Sequence, residues 1–232
     1  MIVKFKSIAR NLAQLGWGWG ILYLVARVLT RVTGGWGRLV CYHLVVQPVP
    51  EMPKSLCGSS RQNPVRRIDA TDLLVTQFPR PPQVILQRFN DEAICLAATS
   101  GERFAGFLWI THGAYNEDEV RCRYELIEPD LSVWDFDVYV EPTFRMGRTF
   151  SRLWDAANTY MAEKGVCWSF SRISVFNAGS LLAHTRLGLR RLFSACFLCI
   201  GKIQIAVFSV PPFFHISTSD RSRPIFRLSP PT

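Results

Sequence analysis

Residues 144–157 read FRMGRTFSRLWDAA, which sets Gly147 between Arg145 and Arg148 just ahead of Phe150, Leu153, Trp154 and Ala157, apolar residues at helical spacing. The chemistry this combination can do is anion binding. Amides at a helix N-terminus lack intrahelical acceptors and carry partial positive charge, and a guanidinium adds charge-assisted hydrogen bonds to phosphate oxygens. The plainer alternative is a solvated basic turn before an ordinary helix. Upstream, Asp135, Asp137 and Glu141 recur with period two, so they can gather beside one strand. Downstream, His184 carries an imidazole that titrates near neutrality and can donate or relay a proton, unless it is a buried helix histidine with no such part. Cys196 and Cys199 have CxxC spacing inside FSACFLCIG, which reads as a strand and puts them on opposite faces. With no second pair and no nearby histidine, no metal site is expected, and the seven cysteines suit free thiols in a reducing cytoplasm.

The elements that must hold these residues follow from the punctuation. VRRID is a short strand, with Asp69 as N-cap of ATDLLVTQF, and VILQRF is helical. EAICLAAT and FAGFLWITHG form a hairpin around SGER, and EVRCRYELI adds an edge strand. LSVWDFDVYV alternates strictly, with Trp134, Phe136, Val138 and Val140 on one face and Val133, Asp135, Asp137 and Tyr139 on the other. A helix then runs to about Lys164 and stops at Gly165. CWSFSRISVF is a strand, and NAGSLLAHTRLG is a helix capped by Asn177 and ended by Gly188. RRLFSACFLCI and IQIAVFSV close the series as two strands joined by a GK turn. Strands with helices interleaved in the second half predict an α/β or α+β domain around a mixed sheet.

From about Val65 to Val210 the chain resembles the GNAT superfamily of acetyl-CoA-dependent N-acyltransferases. VYVEPTFRMGRTF matches the family's strand and phosphate loop at Val138, Val140, Pro142 and Arg145. A second signature fits Asn177, Ser180, His184, Arg186 and Gly188. The resemblance implies a mixed, mostly antiparallel sheet flanked by helices, with acetyl-CoA as co-substrate, an amine as acceptor and no metal. It also implies that Val138, Tyr139 and Val140 offer backbone amides to the acyl group. Arg145, Met146, Gly147, Arg148, Thr149 and Phe150 would cradle the diphosphate, with Asn177 and Ser180 contributing from the second motif. His184 stands where the family often has a tyrosine acid, and Asp137 and Glu141 are the candidate bases. The departure is in the loop: the family's two small residues fall on Arg148 and Phe150. Either these side chains block the cradle, or it is rebuilt around Gly147.

The formal charge of +9 sits in residues 1–67, which hold ten basic residues against the single acid Glu51; the remainder is balanced. Residues 1–45 are basic, apolar and helical in pattern. Their longest uncharged stretch, Asn11 to Ala26, is too short to span a bilayer, and no cleavage site follows it. They suit an anionic membrane surface, placing the protein at the inner face of the cytoplasmic membrane, or else they pack on the domain or on a second subunit as in a homodimer. Nucleic acid is not expected, because the segment is too apolar for a solvated basic arm, though nucleic-acid binding stands as a third reading. The expected organisation is the 1–45 segment, a strand end and Pro/Ser-rich linker over 46–63, the acyltransferase domain over 64–212 and a tail over 213–232. A GNAT-shaped scaffold without chemistry, docking on a membrane protein, is the alternative to an enzyme acting on an amino sugar of an envelope or exopolysaccharide precursor.

Overall fold

The computed structural model describes residues 2–52 and 63–231, with side chains from Leu15 onward. Most of the expected 46–63 linker therefore lies outside the described residues. The chain divides into two compact units. The first comprises Met1–Gln47, Asn116–Glu125 and Phe170–Arg227, and the second Pro48–Tyr115, Leu126–Ser169 and Leu228–Thr232.

The first unit begins with helix α1 (Ile2–Val32), kinked at Gly16, whose φ of 73° leaves the helical region. Strand β1 (Gly37–Pro48) follows, so the helical part of the expected 1–45 segment ends at Val32 and the sheet begins at Gly37. Further along the chain come strand β8 (Trp168–Ser174), helix α4 (Ala178–Thr185) and strands β9 (Arg190–Ile200), β10 (Ile203–Phe208) and β11 (Phe214–Ser217). They assemble in the order β11-β10-β9-β1-β8, antiparallel from β11 through β1. Tyr42, Leu44, Phe197 and Ala206 fill the core, and Tyr42 shares a hydroxyl–hydroxyl hydrogen bond of 2.6 Å with Tyr124. Tyr124 lies on β6 (Arg123–Leu126), which pairs with β12 (Ile225–Leu228). The 213–232 tail thus supplies two strands, β11 and β12. Their alternation is too short to stand out in sequence.

The second unit is built on strands β2 (Val65–Ile68), β3 (Ile94–Ser100), β4 (Arg103–Thr111) and β7 (Ser132–Val140), in the order β7-β4-β3-β2 and antiparallel throughout. Strand β5 (Ala114–Asn116) follows β4 in the chain. Helix α2 (Pro82–Asn90) and a 3-10 turn over Leu73–Gln77 supply Ile85, Leu74 and Phe78 to a core with Phe107 and Trp109. That turn is capped by Asp72, which accepts from the Leu74 amide at 3.0 Å; Asp69 instead closes a local turn on Thr71. Helix α3 (Thr149–Glu163) packs on β2, β3 and β4, burying Leu153, Trp154, Ala157 and Met161 at helical spacing. Each unit is thus α+β. Mostly antiparallel strands are flanked by helices, with an additional helix at the N-terminus.

Candidate functional site

The chemistry-bearing residues of the second unit cluster where β7 leaves regular pairing. Phe107 of β4 faces Tyr139 while Trp109 faces Phe136, so β7 holds one residue too many opposite Leu108. Asp137 takes the turn, with φ of 46°. This β-bulge bends the strand and leaves a residue out of the ladder. It also overturns the strict alternation expected for LSVWDFDVYV: Phe136 and Tyr139, three apart, both pack against the core cluster of Phe107 and Trp109.

The bulge sets Asp137 between two arginines. Its carboxylate accepts from Arg80 Nε at 2.8 Å and Arg88 Nη1 at 2.6 Å, with a second, very short bond to Arg80. Arg80 lies over the rings of Phe107 and Tyr139, and Arg88 over those of Trp109 and Phe136. Asp137 is thus the anion of a two-guanidinium clamp. The clamp gives Asp137 an ion-pairing part beside the general-base part expected of it. Asp135 is buried and accepts from the Ser169 hydroxyl at 2.6 Å. Glu141, half-buried just past β7, has one described side-chain bond, from the Tyr139 hydroxyl at 3.1 Å. Burial, followed by that bond, raises the Tyr139 pKa.

Beyond β7 a short 3-10 turn, Pro142–Phe144, leads into the arginine loop. The Gly147 amide donates back to the Phe144 carbonyl at 3.1 Å, so this glycine closes the turn and does not point its N–H outward. A Cβ there would come within 3.3 Å of the same carbonyl. The first intrahelical bond of α3 runs from the Arg152 amide to the Arg148 carbonyl, so the amides of Thr149, Phe150 and Ser151 belong to the donor-rich first turn. Arg145, Met146 and Arg148 are exposed, Met146 completely. The Arg145 Nε donates to the Val140 carbonyl at 3.0 Å, which folds its head back along the strand end. Phe150 is half-buried, its ring 6.3 Å from that of Trp154 one turn on. Thr149 is buried, and its hydroxyl accepts from Arg152, whose guanidinium also bonds the Asn63 and Thr99 carbonyls. Arg152 therefore fixes the first turn of α3 against β3.

Gly106, which sequence reasoning passed over, is what lets β4 and β7 approach here. A Cβ on it would lie 2.4 Å from the Tyr139 carbonyl and 3.3 Å from Leu153. An isolated glycine within the apolar run FAGFLWI is the available signal for such an approach. Arg80 and Arg88 left no comparable mark.

The second motif belongs to the first unit. Asn177 caps α4, accepting from the Ser180 amide at 3.0 Å, and Gly188, with φ of 83°, ends the turn beyond it. His184 is 3% exposed, and its Nδ1 lies 3.1 Å from the Gln47 side-chain oxygen. Burial lowers its pKa to about 4. This burial agrees with the buried helix histidine that the sequence left open beside the proton donor or relay. Among the described residues no group of metal-binding side chains occurs, and no helix is long and apolar enough to cross a membrane.

Among solved structures the chain is similar to a functionally unknown conserved protein from Staphylococcus epidermidis, with a TM-score of 0.51 and 12% identity over 75% of this chain and 67% of that one. It is also similar to a putative GNAT-family acetyltransferase from Novosphingobium aromaticivorans (TM-score 0.49, 14% identity, 78% of this chain and 66% of the other). A third is a tandem GNAT protein from the clavulanic acid biosynthesis pathway (TM-score 0.48, 10% identity, 75% and 55%). The chain spans about two thirds of the first two and just over half of the third. No family model and no curated protein matches the sequence. What the likeness at a TM-score of 0.51 shows is a shared fold alone, and activity has to be argued from the residues.

Proposed function

We propose that the protein is an N-acyltransferase that moves an acetyl or other acyl group from acyl-CoA to a primary amine. The observation that carries this reading is the succession, within one unit, of a bulged strand, an arginine-bearing loop and a helix N-terminus. The exposed Arg145 and Arg148 bind the diphosphate together with the first-turn amides of α3. The amides of Val138, Tyr139 and Val140 receive the acyl carbonyl as it becomes an oxyanion. Glu141 takes the amine proton, oriented by the Tyr139 hydroxyl. The amine nitrogen forms the new C–N bond, the thioester C–S bond breaks, and the departing thiolate is protonated from solvent.

Acetyl-CoA titrated against the intact protein tests the reading. Calorimetry should give saturable binding that Arg145→Glu with Arg148→Glu removes. Absence of binding at millimolar ligand would favour the scaffold without chemistry.

The acceptor we favour is an amino sugar of an envelope or exopolysaccharide precursor at the membrane. What supports a membrane surface is the outer stripe of α1: Trp17, Ile21, Leu24, Val28 and Val32 are all exposed at three- and four-residue spacing, while Trp19 and Tyr23 pack inward on His43 and Phe176. Arg27 and Arg31 accompany the stripe, and no acid precedes Glu51. An apolar face with cations and no anions fits anionic lipid. Vesicles of phosphatidylglycerol and phosphatidylcholine should float the protein. Trp17→Ser with Val28→Ser should abolish flotation, whereas a concentration-dependent dimer with no flotation would assign the stripe to a second copy.

A further inference from the structure

The antiparallel register of β1 and β9 sets Cys41 directly opposite Cys196. The Cys41 carbonyl accepts the Val175 amide at 3.0 Å, on the β8 side of the strand. In an antiparallel strand a residue's N–H and C=O point the same way, so toward β9 Cys41 occupies a non-hydrogen-bonded position. Opposed Cα atoms at such positions stand about 4.5 Å apart, within the roughly 4.4–6.8 Å that a disulfide spans. The two thiols already hydrogen-bond each other, which lowers the pKa of Cys196 and raises that of Cys41. Cys41 is 1% exposed, whereas Cys196 is half-buried and its β10 neighbour Val207 is 53% exposed. The pair therefore has an approachable nucleophile and a sheltered partner. This differs from the Cys196–Cys199 spacing that the sequence advertises, because Cys199 lies on the other face of β9, bonded to Gln204.

We propose that Cys41 and Cys196 form a reversible dithiol–disulfide pair that staples β1 to β9 when a small disulfide oxidant such as glutathione disulfide is present. The Cys196 thiolate attacks one sulfur of the oxidant, forming a mixed disulfide and expelling a glutathione thiolate. Cys41 then gives up its proton and attacks the Cys196 sulfur, expelling the second thiolate. The protein loses two electrons and two protons, and one glutathione disulfide becomes two glutathiones.

The full-length protein equilibrated in glutathione buffers of increasing oxidising strength, acid-quenched, alkylated and digested without reduction, tests the pair. The expected product is a cross-linked peptide joining Cys41 to Cys196. The thermal midpoint rises with its yield and returns on dithiothreitol. In Cys41→Ala, Cys196 should stop at the glutathione adduct. A Cys196–Cys199 link, or full alkylation of Cys41 and Cys196 under conditions that oxidise the exposed Cys167, would overturn the proposal.

Discussion

The residues with chemical potential fall in two segments, 137–150 in the second unit and 177–188 in the first, and the fold treats them in opposite ways. The second segment is closed on itself. Asn177 caps, the Thr185 hydroxyl bonds the Leu181 carbonyl, and His184 is buried against Gln47. The first ends in exposed arginines, a half-buried carboxylate and a helix start, with polar groups facing outward. Asp137 is the exception within it and behaves like the closed segment. A residue's type names the chemistry it can do; burial and partners decide whether it stays available.

The comparison breaks most sharply at Asp137. If it anchors Arg80 and Arg88, Asp137→Ala removes a carboxylate shared by two guanidinium groups that lie over aromatic rings, one of them, on Arg88, with only 10% of its side chain exposed. Removing one member of such a buried pair costs about 3–5 kcal/mol. Urea unfolding should show the loss, and Asp137→Asn should recover part of it through hydrogen bonds. A general base would instead give Asp137→Asn with wild-type stability and collapsed turnover.

His184 supplies the next effect, through pH. Its folded pKa of about 4 lies below the unfolded value near 6.5, so the unfolded chain takes up the proton first as pH falls. The contribution of neutral His184 is fully present above pH 6.5, declines between 6.5 and 4, and is flat below that. The full span is worth up to about 3 kcal/mol. Denaturant midpoints from pH 7 to pH 4 should show this slope in the wild type and less of it in His184→Gln. An acid catalyst would give His184→Gln a large loss of turnover at pH 7.

These outcomes bear on how far the sequence reading reached. Elements with strong periodicity were legible: α3 from Leu153, Trp154, Ala157 and Met161, and α4 from Asn177 and Gly188. The loop arginines were legible as well, since a charge beside a helix start is local information. The bulge was not. A strand read as LSVWDFDVYV alternates on paper, and the extra residue becomes visible only against β4, where Phe107 and Trp109 fix the partner register. The same non-local origin hid the clamp, because Arg80 and Arg88 reach Asp137 from 57 and 49 residues away. It also hid the Cys41–Cys196 pair, which the nearby Cys199 disguised. The burial of His184 was not legible because it belongs to the tertiary structure; its place in a motif says nothing about its solvent.

The smallest effect on stability tests the open segment most directly. Arg148 is exposed and makes no side-chain cap bond at the start of α3, so Arg148→Gln should leave the unfolding free energy within about 0.5 kcal/mol of wild type. Arg145→Gln loses one exposed bond to the Val140 carbonyl and should cost little more. If both guanidinium groups meet the diphosphate, each substitution removes a charge-assisted hydrogen bond of about 1.5–3 kcal/mol, or at least a tenfold weakening of acetyl-CoA binding. The weakening should shrink at high salt, where exposed charges are screened. Calorimetric titrations of the wild type and the two variants at low and high salt measure the affinities, and urea unfolding measures the stabilities. Equal affinities in all three proteins would make the arginines a solvated turn and leave phosphate recognition to the backbone of α3 alone.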